Sequence, residues 1–364
     1  MMIIRPVMRD DKDALYELAG KAGIGFTSLP QNTDIISQRI ERMLKTWEGA
    51  VTDAEKGYLF VLEDTVLEKV VGVCGIESAL GLDEPWYNYH VGTLAHASKA
   101  LGIYTQMETL TLSNNHTGYS ELCTLFLDPD YRHSKNGHLL SKARLLFIAQ
   151  FQQHFSEKII AEMRGVSDEQ GYSPFWESLG RHFFSMDFSH ADYLTGIGQK
   201  SFIVELMPKH PLYVNFLTPE AQAVIAQVHK NTLPARKILE SEGMRYGGYI
   251  DIFDAGPTLE AYTSDLRVVK EMVTWPVKIT TDAGVHHPLN EPSTTPYMVS
   301  NQRYQGFRAM IATPQFSGSH IILSQAQAKA LNLSTGEHIC VAPLFPALKN
   351  NLTNHVKDIH HVAA

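Results

Sequence analysis

The stretch from residue 120 to residue 150 constrains the fold of this chain more than any other part of it. Its mostly apolar start, residues 120–127, is typical of a central β-strand, and Asp128-Pro129 ends that strand. A turn over residues 131–138 follows, and apolar residues then recur at helical spacing as far as Gln150. A strand, a tight turn and a helix in this order predict an α/β fold in which helices cover the sheet.

The turn of this unit has a charge pattern that suits an anion. From Tyr131 to Ser156 there are four cations and no acid, although the whole chain has a net charge of −8. Backbone N–H groups at a helix start point outward and the helix dipole favours negative charge there, so this turn can bind a pyrophosphate. A solvated basic helix start has the same pattern, and the segment alone does not distinguish the two. The cations are Arg132, Lys135, Lys142 and Arg144.

Length and composition limit the class of protein. The chain has 364 residues, so we expect one large domain and a smaller one, since a single domain typically has roughly 100–200. The acidic balance argues against nucleic acid or an anionic membrane as the main partner. No apolar run approaches the ~18–20 residues that cross a bilayer, and the N-terminus begins with a strand pattern rather than a signal peptide. We expect a cytoplasmic protein.

The cysteines and the paired histidines do not form a recognisable metal or disulfide pattern. The cysteines are odd in number, far apart and set in apolar runs, which predicts buried free thiols in a reducing compartment. No acid or cysteine has regular spacing with the histidine pairs, so we interpret these pairs as loop and tail residues and predict no metal site. The residues are Cys74, Cys123 and Cys340, and His286, His287, His360 and His361.

Residues 1–260 carry most of the predicted elements. The patterns predict a strand over 2–7, a helix after Asp10 or Asp11, and a second helix after Thr33 that ends at Gly49. Further elements are a hairpin over 57–64 and 70–77, a strand pair around 86–92, a strand over 159–165, a short helix over 173–180 closed by glycine, a helix from Thr218 to about His229, a helix over 235–242 and a strand over 244–253.

Residues 261–364 differ in character. Residues 275–300 are rich in proline, threonine and histidine, which predicts an exposed connection. Short strands are predicted over 307–312, 321–323 and 339–342, with a small helix from Ser324 and a flexible tail. These features predict a smaller, β-rich, barrel-like C-terminal domain.

The order of elements and one loop motif resemble the Gcn5-related N-acetyltransferase superfamily. In that family a Gln/Arg-x-x-Gly-x-Gly/Ala loop holds the pyrophosphate of coenzyme A. Here residues 132–137, the basic turn, have Arg132 and Gly137 at matching positions, while Lys135 replaces the first glycine. The resemblance implies that Arg132, Lys135, Asn136 and Gly137 bind the coenzyme. The segment 173–180 is similar to the family's Phe-Tyr-x-x-x-Gly motif.

Longer segments resemble the arginine N-succinyltransferase family, almost without gaps from residue 2 to about residue 260 and more weakly after about residue 265. The resemblance implies transfer of the succinyl group of succinyl-CoA to the α-amine of L-arginine, with succinyl-CoA as co-substrate and no bound cofactor. The similar segments include 4–7, 26–30, 83–89, 120–130, 161–165, 171–180, 205–211 and 249–254.

The same resemblance assigns two roles. It places the catalytic proton carrier at His229, in the context Gln227-Val228-His229, and a succinyl-CoA contact at Leu125. A base with a pKa near 7 suits deprotonation of the α-ammonium, and the predicted helix end at His229 would favour the protonated ring. Leu125 can act only through its backbone and by packing, and it can also be a plain core leucine.

Recognition of the substrates' charged ends leaves several candidates. Arg164 is a candidate cation for the succinyl carboxylate, and Glu162 is a further candidate for substrate binding. A structural pair between Arg164 and Glu162 is the alternative. Candidate carboxylates for the guanidinium of arginine are Glu121, Asp83 and Glu84.

Two rival functions remain open at this point. One is another acyl-CoA:amine transfer, with ornithine as the nearest acceptor. The other is a noncatalytic subunit that binds coenzyme A and supports a paired active chain. The sequence does not distinguish a homo-oligomer from a hetero-oligomer.

Overall fold

The structure is a computed structural model that describes residues 1–23, 27–199, 201–280 and 295–346. In these segments a mixed sheet carries helices on its faces, as the sequence predicts. The strands are β1 (Met2–Pro6), β2 (Gly57–Asp64), β3 (Lys69–Glu77), β4 (Asn88–Ser98), β5 (Ile103–Ser113), β6 (Ser120–Leu127), β7 (Lys158–Glu162), β8 (Leu212–Tyr213), β9 (Arg245–Ile250), β10 (Pro257–Tyr262), β11 (Val273–Thr280), β12 (Tyr297–Asn301), β13 (Ala309–Ala312), β14 (Gln315–Ser317), β15 (His320–Ser324) and β16 (His338–Pro343). The α-helices are α1 (Lys12–Ala22), α2 (Thr33–Glu48), α3 (Asn136–Gln150), α4 (Arg181–Phe184), α5 (Phe188–Gly196), α6 (Ser201–Leu206), α7 (Pro219–Val224), α8 (Leu233–Ser241), α9 (Arg267–Glu271) and α10 (Gln325–Ala330).

Helix α2 shows how local sequence sets an element. The side chain of Asn32 accepts hydrogen bonds from the N–H groups of Asp34 and Ile35 at 3.0 and 3.1 Å, which satisfies two free donors at the helix start. Gly49 ends the helix in a left-handed conformation with φ +72°, which glycine adopts without steric cost. The predicted bounds of this helix are confirmed.

The hairpin β2–β3 separates the two layers of helices. Leu59, Val61 and Val73 pack with α1 and α2, whereas Tyr58 and Phe60 pack with α3 on the other face. This alternation follows from the two-residue period of a strand. Helix α3 is buried on nearly all sides because α8, α9 and the C-terminal strands also cover it.

Strands β6 and β7 are parallel and separate early. They pair only at Ser120↔Ile159 and Glu121↔Ile160, although β6 continues to Leu127. On its other edge β6 has a bulge at Thr124, whose φ is +52°, and the register with β3 shifts at that position. The space that opens between β6 and β7 beyond Glu121 is called the gap below.

The C-terminal strands extend the same sheet, since β13 pairs with β1 at Ile4↔Ala309. The predicted exposed connection over 275–300 is wrong at both ends. Residues 275–280 belong to β11 and residues 297–300 to β12, because both strands hydrogen-bond to β16. The middle of that connection, the predicted flexible tail beyond 346 and both histidine pairs lie outside the described residues. The division at residue 260 stays a prediction, and β10 spans it.

Two further expectations concern individual residues. Gly180 does not close the helix predicted over 173–180, because the chain continues in helical conformation through α4; its lack of a side chain leaves room for the ring of Trp176, which a Cβ would approach to 2.3 Å. The three cysteines are free and buried, as predicted.

In the described part of the chain no helix has the length and apolar character needed to cross a membrane.

Candidate active site

The basic turn begins where β6 ends. Asp128, buried at the end of the strand, accepts a hydrogen bond from Lys21 Nζ at 2.6 Å and one from the N–H of Asp130 at 3.2 Å. Ser134 and Lys135 then take positive φ values of +50° and +67°, and α3 starts at Asn136. This conformation places the first turn of α3 at the carboxyl end of β6.

The side chains of the basic turn have different roles. Arg132 and Lys135 are exposed, although Arg132 Nε also donates to the carbonyl of Leu127 at 3.1 Å. Asn136 is buried and its side-chain amide donates to the carbonyl of Tyr131 at 3.0 Å, so this side chain stabilises the turn. The turn therefore offers two accessible cations beside the N-terminal amides of α3.

Gly137 is not required by the packing of the protein itself. A Cβ at this position would meet only Leu127 Cδ2, at 3.9 Å, which is ordinary contact, and the φ of Gly137 is not in the left-handed region. Space at a helix start that the protein leaves unfilled suits close approach of a ligand to the backbone.

Two of the four cations that the sequence groups together do not face an anion site. Lys142 is fully buried, where its Nζ lies 2.7 Å from Glu242 Oε1 and donates to the carbonyl of Leu344 at 2.6 Å. Arg144 is also buried and donates to the carbonyl of Cys123 at 3.0 Å. Residues 131–156 contain four cations and no acid, but two of these cations stabilise the core around α3.

Leu125 on β6 and Arg164, two residues beyond the end of β7, both lie past the point where the two strands stop pairing. Leu125 is half-buried and packs against the core cluster around α3. Since β7 does not pair with β6 here, the backbone of β6 at Leu125 is left to other partners.

His229 lies in a loop beside the gap and not at a helix end. Helix α7 stops at Val224, because Ala226 takes a φ of +59° and donates its N–H to the carbonyl of Ala255. The N–H of His229 donates to the carbonyl of Arg164 at 2.9 Å. The expected helix-dipole effect on His229 is therefore wrong, since tertiary hydrogen bonds replace the last turns of the predicted helix.

The surroundings of His229 keep its ring neutral. Burial, followed by the positive charges of Arg164 and Lys230, lowers the pKa of His229 below its usual value. Its Nδ1 accepts a hydrogen bond from the N–H of Asn231 at 3.2 Å, so the neutral ring carries its proton on Nε2. The ring lines a cavity of about 360 Å³ together with Val166, Ser167, Asp168, Glu169, Gln170 and Lys230.

Arg164 forms no ion pair with a carboxylate of the described residues. Its Nη2 donates to Ser167 Oγ at 3.1 Å, and its Nε is buried without a hydrogen-bond partner among the described residues. Burial lowers its pKa. The ion pairs found in the described segments do not include Arg164, so the alternative of a structural pair with Glu162 is not observed.

Glu162 belongs to a group of carboxylates. Its Oε1 accepts a hydrogen bond from Asn88 Nδ2 at 2.6 Å. Burial, and then the negative charges of Asp251 and Glu121, raise the pKa of Glu162 well above its usual value. Glu121, on β6, is almost fully buried. Asp83 and Glu84, by contrast, are exposed in the loop before β4.

The position of Arg164 depends on a turn that sequence analysis did not single out. Asp254 accepts hydrogen bonds from the N–H groups of Gly165 at 2.7 Å and Gly256 at 2.9 Å. A Cβ on Gly165 would lie 2.3 Å from the carbonyl oxygen of Asp254, so only glycine permits this approach. The aspartate pair at 251 and 254 followed by Gly256 is a turn signal that could have identified it.

The structure thus brings Leu125, Arg164, Glu162 and His229 to one end of β6 and β7, with the basic turn following β6. Within the described segments no group of three or more histidine, cysteine, aspartate or glutamate side chains is arranged to hold a metal ion. Burial raises the pKa of Cys123 to about 12, which makes a thiolate nucleophile at the bulge of β6 unavailable near neutral pH.

Comparison with known proteins gives consistent results. Residues 2–268 match the family described as arginine N-succinyltransferase beta subunit, and residues 283–343 match the C-terminal domain of that subunit. An arginine N-succinyltransferase of Yersinia pestis (strain Pestoides F) is 57% identical over 345 residues, which cover 95% of this chain and 98% of that protein. One from Enterobacter sp. (strain 638) is 53% identical, over 96% of this chain and 99% of that protein.

A solved structure agrees with both matches. Arginine/ornithine succinyltransferase subunit AI from Pseudomonas aeruginosa has a TM-score of 0.85 and 33% sequence identity, and the match covers 95% of this chain and 99% of that chain. Since the sequence matches and the fold extend over nearly the whole chain, the chain belongs to the arginine N-succinyltransferase family of acyltransferases.

Proposed function

We propose that this protein transfers the succinyl group of succinyl-CoA to the α-amino group of L-arginine, giving N2-succinyl-L-arginine and coenzyme A. The observation that carries the proposal is the hydrogen bond from the N–H of His229 to the carbonyl of Arg164. Because of this bond the imidazole of His229, whose pKa is lowered, lies beside the chain that continues β7 past its pairing with β6. The names of the relatives support the donor and the acceptor.

The donor is proposed to extend from the basic turn into the gap. The pyrophosphate of coenzyme A binds the amides at the start of α3, with Arg132 and Lys135 as flanking cations. The pantetheine chain then lies between β6 and β7, where the backbone at Leu125 provides hydrogen bonds that β7 does not occupy. This path brings the thioester to the level of Arg164.

His229 is proposed to carry the proton of the reaction. The α-ammonium of arginine must lose a proton before its nitrogen attacks the thioester carbonyl; the new C–N bond forms as the C–S bond breaks, and the thiolate takes up a proton. The lowered pKa of His229 keeps the ring unprotonated near pH 7, as a base requires. To accept a proton at Nε2, the ring must first move its own proton to Nδ1 and give up the bond from Asn231.

Charged groups at the gap are proposed to select the substrates. Arg164, which has a buried Nε–H without a partner, binds the succinyl carboxylate. Glu162, oriented by Asn88, and Glu121 bind the cationic acceptor, whose positive charge would favour the ionised form of Glu162. The P. aeruginosa relative is named an arginine/ornithine succinyltransferase, which supports ornithine as a second acceptor. The subunit names of the matched family and of that relative support assembly with another chain, of the same or a different kind.

Release of free thiol from succinyl-CoA and acetyl-CoA, each with arginine, ornithine and lysine, tests the proposal. We expect kcat/KM to favour succinyl-CoA by at least about tenfold, since an unpaired buried cation costs ~1–3 kcal/mol, and to favour arginine among the acceptors. Equal rates with both donors would overturn the succinyl assignment. Absence of turnover in a folded protein that binds coenzyme A would favour the noncatalytic subunit.

A further inference from the structure

Arg39, on α2, reaches the bulge of β6. Its Nη2 donates to Thr124 Oγ1 at 2.8 Å and lies 3.6 Å from Cys123 Sγ, while its Nη1 donates to the carbonyl of Ser28. The side chain is 13% exposed. A guanidinium is thus fixed at the bulge of β6, at the residue before Leu125.

The local charges leave Arg39 with an excess of positive charge. Glu77 is its nearest carboxylate, at 3.3 Å, but Arg42 binds both oxygens of Glu77, at 2.6 and 3.0 Å. Two guanidinium groups therefore share one carboxylate, and the shorter, bidentate pair belongs to Arg42. Arg39 is left as a buried cation that is only partly compensated.

Arg39 and Arg164 share an unusual feature. Each has a buried Nε–H that finds no hydrogen-bond partner in the described part of the chain. An unsatisfied buried donor on a charged group is costly unless a ligand completes it. The adjacent residues Thr27 and Ser28 connect the two groups, since Thr27 hydrogen-bonds to Asp192, whose charge acts on Arg164, and Ser28 binds Arg39.

A cavity lies next to the loop that contacts Arg39. It has a volume of about 310 Å³ and is lined by Thr27, Leu29 and Pro30 of that loop and by Asp192 of α5, among others. The proposed reaction involves two carboxylates, one at the end of the succinyl group and one on the α-carbon of the amino acid. Two guanidinium groups, each with a buried N–H that lacks a partner among the described residues, match these two anions in number and charge.

We infer that Arg39 is a substrate-binding residue that pairs with the α-carboxylate of the amino acid, while Arg164 pairs with the succinyl carboxylate. The inference rests on the proposed function, because the reaction supplies both carboxylates. The fork of N–H groups and the permanent charge of an arginine suit a carboxylate ligand. Contacts with Thr124, Ser28 and Glu77 fix the orientation of the Arg39 side chain.

The test compares substrates that differ only in a carboxylate. Succinyl-CoA is compared with butyryl-CoA, in which a methyl group replaces the carboxylate, and L-arginine with agmatine, which lacks the α-carboxylate. The four combinations are measured for the wild type, Arg39→Met and Arg164→Met. In Arg39→Met we expect the preference for L-arginine over agmatine to fall at least about tenfold, corresponding to ~1.4 kcal/mol, and the preference for succinyl-CoA over butyryl-CoA to persist. In Arg164→Met we expect the reverse.

If Arg39→Met lost the preference for succinyl-CoA instead, Arg39 would bind the succinyl carboxylate and the inference would be wrong. Arg9→Met is the matched control, because it removes one positive charge from an exposed side chain that pairs only with Glu41 on α2, and both preferences should persist in it. If all four rates of Arg39→Met fell by one common factor, or if both preferences were unchanged, Arg39 would be structural and the inference would be wrong. A wild type without either preference would contradict the proposed function itself.

A second variant guards against misfolding. Arg39→Gln keeps an amide that can donate to Thr124 Oγ1 but removes the charge, so it should fold and still lose the same preference as Arg39→Met. Arg39→Lys keeps the charge without the fork and should recover part of that preference. A folded Arg39→Gln that retains both wild-type preferences would overturn the inference.

Discussion

The basic turn and the loop that carries His229 serve one proposed site, but different kinds of contact hold them. The turn is fixed mainly by hydrogen bonds between residues close in sequence, such as Asn136 to Tyr131. The loop is fixed by bonds between distant residues, from His229 to Arg164 and from Ala226 to Ala255. A substitution in the basic turn should therefore change only the KM for succinyl-CoA, whereas a substitution of His229 should change kcat.

The largest effect is expected for His229→Ala. Loss of a general base typically lowers kcat by about 10²–10⁴-fold, while the Kd for coenzyme A should not change because the basic turn is a separate segment. A base must be unprotonated to act, so kcat/KM of the wild type should rise with pH and level off above the pKa of His229, which burial lowers below its usual value. In His229→Ala this rise of kcat/KM at low pH should become weaker or shift to another pH.

His338→Ala, at an exposed position on β16, is the control. A folded His229→Ala with near-normal kcat and an unaltered pH profile would assign the proton transfer to another group.

The variant Lys142→Met tests whether a buried cation of residues 131–156 has a different role from the exposed cations Arg132 and Lys135. Removing Lys142 breaks a fully buried pair with Glu242, which keeps only Arg267 at 2.8 Å, so the free energy of unfolding should fall by about 3 kcal/mol. KM for succinyl-CoA should be unchanged at a temperature where the variant is folded. Lys270→Met, which removes an exposed pair with Asp265, should cost less than about 1 kcal/mol in urea unfolding. A raised KM with unchanged stability would place Lys142 at the anion site.

Gly137→Val tests whether the backbone at the start of α3 contacts the donor. The nearest protein atom leaves room for a Cβ, so the fold should persist, while KM for succinyl-CoA should rise at least about tenfold, a loss of ~1.4 kcal/mol. Gly306→Val is a matched control, because a Cβ there has a similar nearest contact at 3.8 Å and the site lies between β12 and β13. An unchanged KM in a folded Gly137→Val would remove the basic turn from the donor site.

The smallest effect is expected at Lys135, where the family motif has glycine. A lysine at φ +67° is strained, so Lys135→Gly should stabilise the protein by up to ~1 kcal/mol, whereas Lys135→Met should not. Both variants lose the charge, so an equal rise in KM for succinyl-CoA would measure its contribution. Thermal unfolding of Lys135→Gly and Lys135→Met measures the backbone strain, and the KM of each variant for succinyl-CoA measures the effect of the lost charge. Equal stability of the two variants would show that the lysine is not strained.

The fold was predictable where the signals are local. The cap at Asn32, the stop at Gly49 and the two-residue alternation of β2 and β3 each depend on a few neighbouring residues. The helix predicted as far as His229 was wrong because nothing local ends it; the bond from Ala226 to Ala255 does. Arg39 was missed because a mid-helix arginine has no sequence signal of its contact with Thr124.

The sequence by itself determined the strand–turn–helix around the basic turn, most element positions and the family. Only the tertiary structure decided that Lys142 and Arg144 are buried, and that Arg164 lies beside His229. The physical reason is the sequence separation over which each interaction acts. Periodicity and capping act within a few residues. Burial and the hydrogen bond between residues 164 and 229 depend instead on how distant strands and loops pack.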